Sequence, residues 1–332
     1  MKKIMNDPSQ FVDDSLKGIV DAHPEMLKFA GDDIRSVVRA AAPVKDKVAI
    51  ITGGGYGHLP TFLGYVGEGL CDGVAVGNVF TSPSSETIVN AAQATHGGKG
   101  VLFLFGNYTG DTMNFEMAGE ILAMDDIPSA IVKGSDDVAS APRDEWETRR
   151  GVAGLFFAYK VAGAKARTGA SLSEVVDVTK KACENTVTMG IALSSCQLPG
   201  ANKPIFEISD DDMELGMGIH GEPGVERSTI KTSAEIGHMI IERLINDLDI
   251  NRGTEIAILV NGLGATSREE LYILFNDAKQ ELDKHEIKIS KSYVGEYATS
   301  MEMQGASISL LVLDQELRAL LDTPAETPFV KF

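Results

Sequence analysis

The sequence lacks a long apolar run. Nothing in its 332 residues approaches the roughly 18 uninterrupted apolar residues that a transmembrane helix needs. The first stretch, MKKIMNDPSQFVDDSLKG, has two lysines at its start but turns polar and acidic at once, which is not typical of a secretory signal. We therefore expect a cytoplasmic protein that neither enters nor binds a membrane.

Cysteine is scarce, with only Cys71, Cys183 and Cys196 in the chain. None of the three belongs to a CxxC pair, the spacing typical of zinc sites and redox motifs. The sequence therefore predicts buried thiols outside any disulfide, as is usual in a reducing compartment.

The chain also has few positively charged residues. Lysine and arginine total 30 residues against 48 aspartates and glutamates, so the net charge is -18, and no basic cluster offsets it. This balance opposes direct binding to nucleic acid or to an anionic membrane. A small neutral ligand or a basic protein partner fits the charge better than a polyanionic substrate does.

What the chain does contain is an alternation of apolar β-rich runs with segments of helical period, the pattern of an α/β protein. At this length about two domains are expected, and we place them at residues 1–185 and 186–332, each a mixed, mainly parallel sheet flanked by helices. The predicted strands are Lys47–Ile51, Gly73–Val76, Gly100–Phe105, Ser129–Val132, Gly190–Leu193, Glu255–Val260, Ile287–Tyr293 and Ala306–Leu313. The predicted helices are Ser84–Thr95, with Ser84 as its N-cap, Asn114–Met124, Arg149–Thr168, Ser171–Thr186, Ser233–Leu248 and Ser267–Lys284.

Glycine-rich or turn-rich loops follow several predicted strands, and a further one, GMGIHGEPG, spans residues 216–224. Those after strands are GGGYGHLP at 53–60, FTSP at 80–83, GNYTGD at 106–111 and NGLGAT at 261–266. In open α/β sheets ligands sit outside the carboxyl ends of the strands, so such loops can line one crevice.

GGGYGHLP is not a nucleotide-binding loop. It lacks the Gly-Lys-Ser/Thr ending of a phosphate loop, and Pro60 stands where a dinucleotide fingerprint needs its third glycine. Two interpretations remain open. Its glycines can let backbone N–H groups approach a ligand, or the stretch is only a tight turn around a satisfied His58.

Two more loops carry candidate chemistry. His220 lies between Gly218 and Gly221, where an imidazole can act as a nucleophile or a general base, or be an ordinary loop histidine. A metal site is disfavoured, because no HxH or HExxH pattern accompanies it. Asp111 precedes a predicted helix, so it is either an N-cap or a carboxylate for a polyol hydroxyl. The other histidines (His23, His96, His238, His285) are interpreted as surface residues.

Taken together, these loops resemble the K subunit of dihydroxyacetone kinase. The resemblance covers nearly the whole chain and rests on KKIMND, VKDKVAIITGGGYGH, FTSP, NYTGD, NFE, RRGVAG, ELGMGIHGEPG and NGLGAT. It implies a homodimer of two-domain α/β subunits. It also implies no cofactor, because in this family a separate subunit carrying ADP serves as the phosphoryl donor.

The resemblance further implies roles for individual residues. His220 matches the histidine whose nitrogen adds to the ketone of dihydroxyacetone to give a hemiaminal. Glycerol, which has no carbonyl, would then be rejected. Gly55, Ser82 and Asp111 match the positions that contact the ligand hydroxyls, and His58 matches the histidine that supports proton transfer together with the aspartate.

The chain departs from the catalytic members of this family at three positions. They usually read GGGSGHEP and KNYTGD, whereas Tyr56, Leu59 and Gly106 stand here. Phosphoryl transfer depends on positioning and on electrostatic stabilisation of negative charge, and both a lost lysine and a phenol near the donor oppose it. None of the three changes touches the predicted adduct at His220.

These departures favour a non-phosphorylating paralogue of the DhaQ type, which binds dihydroxyacetone and acts as a co-activator of a TetR-like transcription factor. The enzyme alternative remains open, because His58 and Asp111 are present. In that case the chain is the phosphoryl-acceptor subunit of a phosphotransferase-system-dependent dihydroxyacetone kinase, or part of a kinase for a related ketose such as erythrulose.

Overall fold

The computed structural model describes residues 2–332 and has the predicted α/β fold. The chain forms two compact units. One holds the described residues up to Gly134 together with Phe157–Ala182 and Ala319–Phe332; the other holds Ser135–Phe156 and Cys183–Arg318. One crossing between units, at residues 182 and 183, lies near the expected boundary at 185. Nothing in the sequence pattern indicated that residues 135–156 and 319–332 would change units, and the 1–185 and 186–332 division stays a prediction.

The first unit is built on a six-stranded sheet with strand order β1-β2-β4-β3-β5-β6. The central strand β3 pairs in parallel with β4 and β5, and β5 pairs in parallel with β6, whereas β1 and β2 are antiparallel. All eight residues of β3 are buried, as expected where a parallel sheet is covered on both faces. The strands are β1 (Leu27–Ala30), β2 (Asp33–Arg39), β3 (Ala49–Tyr56), β4 (Gly73–Val79), β5 (Val101–Gly106) and β6 (Ser129–Gly134).

Aromatic packing joins this sheet to its helices. The ring of Phe105 on β5 stacks on Phe115 of α3 at a centroid distance of 4.0 Å, and Phe103 meets Phe115 edge-on. Ser84 is the predicted N-cap of α2, since its hydroxyl accepts the Thr87 N–H at 3.1 Å. The helices are α1 (Phe11–Ala22), α2 (Ser85–Thr95), α3 (Thr109–Met124), α4 (Leu155–Arg167) and α5 (Leu172–Glu184).

The second unit has its own six-stranded sheet, with strand order β11-β10-β12-β7-β8-β9. Within the described chain, β10 and β11 form its one parallel pair, so mainly parallel pairing holds for the first sheet alone. The physical reason is the connections: a helix links β10 to β11, whereas no helix lies between β7, β8 and β9. The strands are β7 (Thr186–Ala192), β8 (Asp212–Leu215), β9 (Glu226–Thr229), β10 (Glu255–Gly262), β11 (Lys288–Glu296) and β12 (Gly305–Val312).

Two helices of this unit, α6 (Ser233–Leu248) and α7 (Arg268–Lys284), begin at capping boxes. Thr232 and Glu235 form the first box and Ser267 and Glu270 the second, each satisfying backbone N–H groups at the helix start. Their apolar faces share one core with the sheet, and a short α8 (Gln315–Leu321) follows β12.

Some predicted boundaries were wrong. The helix predicted over Arg149–Thr168 begins only at Leu155, because the chain before it is held in another conformation. There Arg149 is buried and bonds both carboxylate oxygens of Asp247, at 2.6 and 2.8 Å. The N–H groups of residues 152 and 154 both donate to Asp136. The predicted strand Gly190–Leu193 is the second half of β7, which begins where helix Ser171–Thr186 was expected to end.

All three cysteines are buried and none forms a disulfide, which confirms that prediction. No helix among residues 2–332 combines the length and the apolar character needed to cross a membrane.

Candidate functional site

The glycine loop at the end of β3 lies in backbone contact with the FTSP turn. A Cβ on Gly55 would come within 2.6 Å of the Thr81 amide nitrogen and 2.7 Å of the Phe80 Cα. A Cβ on Gly54 would meet the Phe62 ring at 2.3 Å. Glycine is therefore required at both positions, and the loop forms one edge of the first unit with the turn at 80–83.

His58 is held between two aromatic rings. Its side chain is 1% exposed, stacks on Phe80 at a centroid distance of 4.8 Å, and meets Phe62 edge-on at 6.1 Å. Both phenylalanines adopt positive φ, 56° and 68°, a conformation that costs non-glycine residues roughly 1–2 kcal/mol. Strain of this kind concentrates at functional sites, and here the two strained residues are those whose rings contact the imidazole.

Ser82 and Asp111 belong to the same edge of the first unit. Ser82 is half-buried, and a Cβ on Gly110 would lie 2.7 Å from its hydroxyl oxygen, so the FTSP turn contacts the start of α3. Asp111 is buried in the first turn of that helix, whose N-cap is Tyr108. The N-cap interpretation of Asp111 was therefore wrong, although a carboxylate in the first turn still complements the helix dipole.

Tyr56 points toward helix α1 of its own unit. Its side chain is 6% exposed, its hydroxyl bonds to the Ser15 hydroxyl, and its ring meets Phe11 edge-on at 6.3 Å. Burial raises the pKa of the phenol, and the bond to Ser15 opposes that rise. In place of a phenol exposed on the loop, the structure has a buried ring that ties α1 to the end of β3.

This contact predicts the behaviour of two matched variants. Tyr56→Phe and Ser15→Ala should each lower the free energy of unfolding by about 1 kcal/mol, since each removes one side-chain hydrogen bond. The double variant should lower the free energy of unfolding by less than the sum of the two single losses, as measured by urea denaturation in a double-mutant cycle. Fully additive losses would show that the two hydroxyls do not act together.

The other two departures, Leu59 and Gly106, lie in the same unit. Leu59 is half-buried in the loop. Gly106 is buried at the last position of β5, where it pairs with Gly134 and its carbonyl accepts the Tyr108 N–H at 2.8 Å. No cationic side chain is available at this position.

His220 lies in the second unit, on the loop between β8 and β9. Its ring Nδ1 is 2.8 Å from Oε1 of Glu222, and its backbone N–H donates to Oε2 of the same carboxylate at 2.9 Å. The His220 side chain is 22% exposed, so the ring is accessible while its orientation is set by Glu222. Sequence reasoning did not assign this role to Glu222, although the His-Gly-Glu spacing was a usable signal.

The negative charge of Glu222 determines which ring nitrogen of His220 carries the proton. Burial opposes its ionisation, but the hydrogen bond and the charge of His220 outweigh burial and lower the pKa of the carboxyl to about 2. An ionised carboxylate accepts the Nδ1–H, and this tautomer puts the nitrogen lone pair on Nε2. Neutral imidazole in that tautomer is a nucleophile at Nε2.

Arg150, from the RRGVAG motif, supports the same loop. Its guanidinium pairs with Asp137 at 2.7 Å and donates to the Gly216 carbonyl at 3.1 Å. A Cβ on Gly218 would lie 2.2 Å from Glu222 and 2.6 Å from Arg150, so any other residue there would displace these two side chains. Burial raises the pKa of Asp137 to about 6, against the opposing charge of Arg150. The RRGVAG motif could be recognised in the sequence, but the sequence did not show that Arg150 contacts the loop that carries His220.

Replacing Glu222 by glutamine should weaken ligand binding at His220 by about tenfold, because a charge-assisted hydrogen bond becomes a neutral one. The lowered pKa of Glu222 keeps its carboxylate ionised until the pH falls toward 2, so the carboxylate is available to His220 at neutral pH. Calorimetric titration with dihydroxyacetone at neutral pH measures the affinity change. The exposed Glu207→Gln is the matched control, and equal affinities for the two variants would contradict the role of Glu222.

Two of the residues interpreted as surface histidines, His238 and His285, approach glutamates on α6 and α7. His238, Glu242 and Glu281 have the spacing of metal ligands.

The predicted site residues His58, Gly55, Ser82 and Asp111 lie in the first unit, and His220 lies in the second.

Glycine-lined loops at strand ends and an oriented histidine are features of α/β proteins that hold small polar ligands. The family model for the Dak1 domain matches residues 17–329, nearly the whole chain. The chain therefore belongs to the Dak1 domain family, which confirms the resemblance found in its motifs.

Individual relatives extend this result. The chain is 43% identical over 331 residues to the dihydroxyacetone-binding subunit of PTS-dependent dihydroxyacetone kinase 2 of Listeria innocua, covering 100% of this chain and 99% of that protein. It is 40% identical to a D-erythrulose kinase of Mycolicibacterium smegmatis, covering 100% of this chain but 57% of that longer protein. A solved structure of the dihydroxyacetone kinase operon co-activator Dha-DhaQ superposes with a TM-score of 0.86 at 29% identity, covering 94% of this chain and 96% of that one.

Proposed function

We propose that the protein binds dihydroxyacetone as a covalent hemiaminal on His220. The Nε2 lone pair attacks the ketone carbon, and the C=O π electrons move to the oxygen. The Nδ1 proton is released through Glu222, and the oxygen gains a proton, so the adduct has the composition of imidazole plus ketone. The observation that carries this proposal is the 2.8 Å contact between His220 and the ionised Glu222.

The adduct explains ligand choice by chemistry. A triol such as glycerol offers no electrophilic carbon, so it cannot form the bond. We assign the ligand hydroxyls to Gly55, Ser82 and Asp111 by the family resemblance. The close approach of the glycine loop to the FTSP turn, and of that turn to the start of α3, supports the assignment.

Intact-protein mass spectrometry tests the adduct. Native spectra recorded with dihydroxyacetone should show one added ligand mass per chain that survives collisional activation, and those with glycerol should not. Loss of the added mass at the same low activation for both ligands would refute covalent binding.

We further propose that the loaded protein acts as a ligand-sensing co-activator of a TetR-like transcription factor. Gly106 leaves no cation where catalytic members carry lysine, and the similar co-activator structure supports the role. The net charge of -18 suits a protein partner and opposes contact with DNA. A pull-down with the regulator should show ligand-dependent binding by a homodimer, and ligand-independent or absent binding would contradict the role.

Phosphoryl acceptance is the second candidate function. His58 and Asp111 are retained and buried, and relatives at 43% and 40% identity are named as a dihydroxyacetone kinase subunit and a D-erythrulose kinase. In this role the protein would present dihydroxyacetone, or a ketose such as erythrulose, to an ADP-carrying subunit. A ketose panel in the mass experiment distinguishes the ligands, and a turnover assay distinguishes the roles.

A further inference from the structure

We propose that His238, Glu242, Glu281 and His285 form a zinc site that links helices α6 and α7. The site is separate from the His220 loop in sequence and does not depend on the proposed function. Zinc bound there would stabilise the second unit without taking part in chemistry on a ligand.

The helices place these residues on facing surfaces. His238 and Glu242 are four residues apart on α6, so they lie on one face. Glu281 and His285 are likewise four apart, with His285 as the C-cap of α7. A Cβ on Gly237 would approach the backbone of α7 at 3.3 Å, which shows how closely the two helices pack.

The ligand atoms of His238, Glu242 and Glu281 all lie within 4.8 Å of one another, and His285 contacts the two glutamates, so a small rearrangement would give a tetrahedral site. Bonds of about 2.0–2.1 Å to zinc imply edges of roughly 3.3 Å between neighbouring ligand atoms. His238 Nδ1 lies 3.3 Å from Glu281 Oε1, and His285 Nε2 lies 3.7 Å from the same oxygen. His285 Nε2 is 2.5 Å from Glu242 Oε1, so this pair must separate slightly to admit the ion.

The electrostatics favour a divalent cation. Glu281 is 8% exposed, and its carboxylate is paired with the Lys284 ammonium at 2.7 Å. Lys284 binds Oε2 at 2.7 Å, whereas both imidazoles approach Oε1, so a metal ion and the ammonium would contact different oxygens. Two acidic side chains against one lysine leave the cluster with an excess of acidic groups.

The donor set identifies the ion. Two imidazole nitrogens and two carboxylate oxygens in tetrahedral array suit Zn²⁺, whereas Mg²⁺ and Ca²⁺ prefer oxygen ligands in six or more positions. His238 is 58% exposed, which gives the ion an entry path. Because the ligands come from two helices, binding would fasten α6 to α7 and raise stability by mass action.

The test uses tag-free protein freed of metal with EDTA. Titration with Co²⁺ should give the strong visible absorption of a tetrahedral cobalt site, saturating at one ion per chain, and Zn²⁺ should displace it. In the variant His238→Ala/His285→Ala, Zn²⁺ affinity measured by calorimetry should fall at least about 100-fold, because two ligands are removed. His23→Ala, outside the cluster, is the matched control and should bind as the wild type does.

The competing arrangement is an ion-pair network in which protonated histidines bridge the two glutamates without metal. It predicts no saturable Co²⁺ or Zn²⁺ binding, or equal affinity in the double variant and the His23→Ala control. Either result would overturn the proposal. Circular dichroism of the double variant confirms that it is folded, and dihydroxyacetone adduct formation by all of these proteins remains a separate measurement.

Discussion

The variant His220→Ala is expected to lose dihydroxyacetone affinity by at least about 100-fold, which corresponds to about 2.7 kcal/mol. Alanine removes the nucleophilic nitrogen, so any remaining affinity comes from hydrogen bonds to the hydroxyls alone. The half-buried His220 is on a loop and outside the core of its unit, so the variant should fold normally. Isothermal titration calorimetry measures the affinity change.

Two controls separate chemistry from structure. His220→Asn keeps a side-chain N–H that can donate to Glu222, but its amide cannot add to a ketone, so it should fail as alanine does. His23→Ala, a histidine of the first unit, should bind as the wild type does. If His220→Asn kept wild-type affinity, the ligand would be held by shape and hydrogen bonds, and the proposed covalent bond to His220 would be refuted.

The second large effect concerns phosphoryl transfer. With an ADP-charged donor subunit and its recharging system, the wild-type chain should turn over at least about 100-fold more slowly than the Listeria innocua subunit to which it is similar. No cation is present at Gly106 to stabilise the transferring phosphoryl group, and Leu59 replaces the usual carboxylate in the loop. A coupled assay of dihydroxyacetone phosphate formation measures the rate.

A gain of activity provides the matched test. The triple variant Tyr56→Ser/Leu59→Glu/Gly106→Lys restores the pattern of the catalytic members and should raise turnover above that of the wild type. Gly106 is buried, so folding of this variant is checked by thermal denaturation. Wild-type turnover equal to that of the kinase subunit would establish the chain as a phosphoryl acceptor and refute the co-activator role.

The long elements were predictable because their patterns are strong. The buried strands β5, β10 and β12 and the capped helices α2, α6 and α7 were predicted within two residues of their bounds. The predicted end of β3 at Ile51 was wrong, because the strand continues through the glycines to Tyr56. Six elements were not predicted: α1, β1, β2, β8, β9 and α8. Several of these are only four residues long, and β9 is largely exposed. Such short segments show too little periodicity of apolar residues to be predicted.

Contacts between distant segments limited the prediction of the site. The loop motifs singled out His58, Ser82, Asp111 and His220, but the sequence could not show that Ser15 on α1 would bond the Tyr56 hydroxyl. Tertiary contacts also displaced the start of α4. The buried Arg149–Asp247 pair joins residues 98 apart, and such pairing leaves no local trace in the sequence.

The covalent bond to His220 can be observed by ¹³C NMR of dihydroxyacetone labelled at its carbonyl carbon and bound to protein containing ¹⁵N-histidine. A hemiaminal on His220 predicts loss of the bound carbonyl resonance and a tetrahedral carbon signal split by one-bond coupling to a histidine nitrogen. The His220→Asn variant should lack that coupled signal. A bound ligand that keeps its carbonyl resonance, or a tetrahedral signal without nitrogen coupling, would contradict the account.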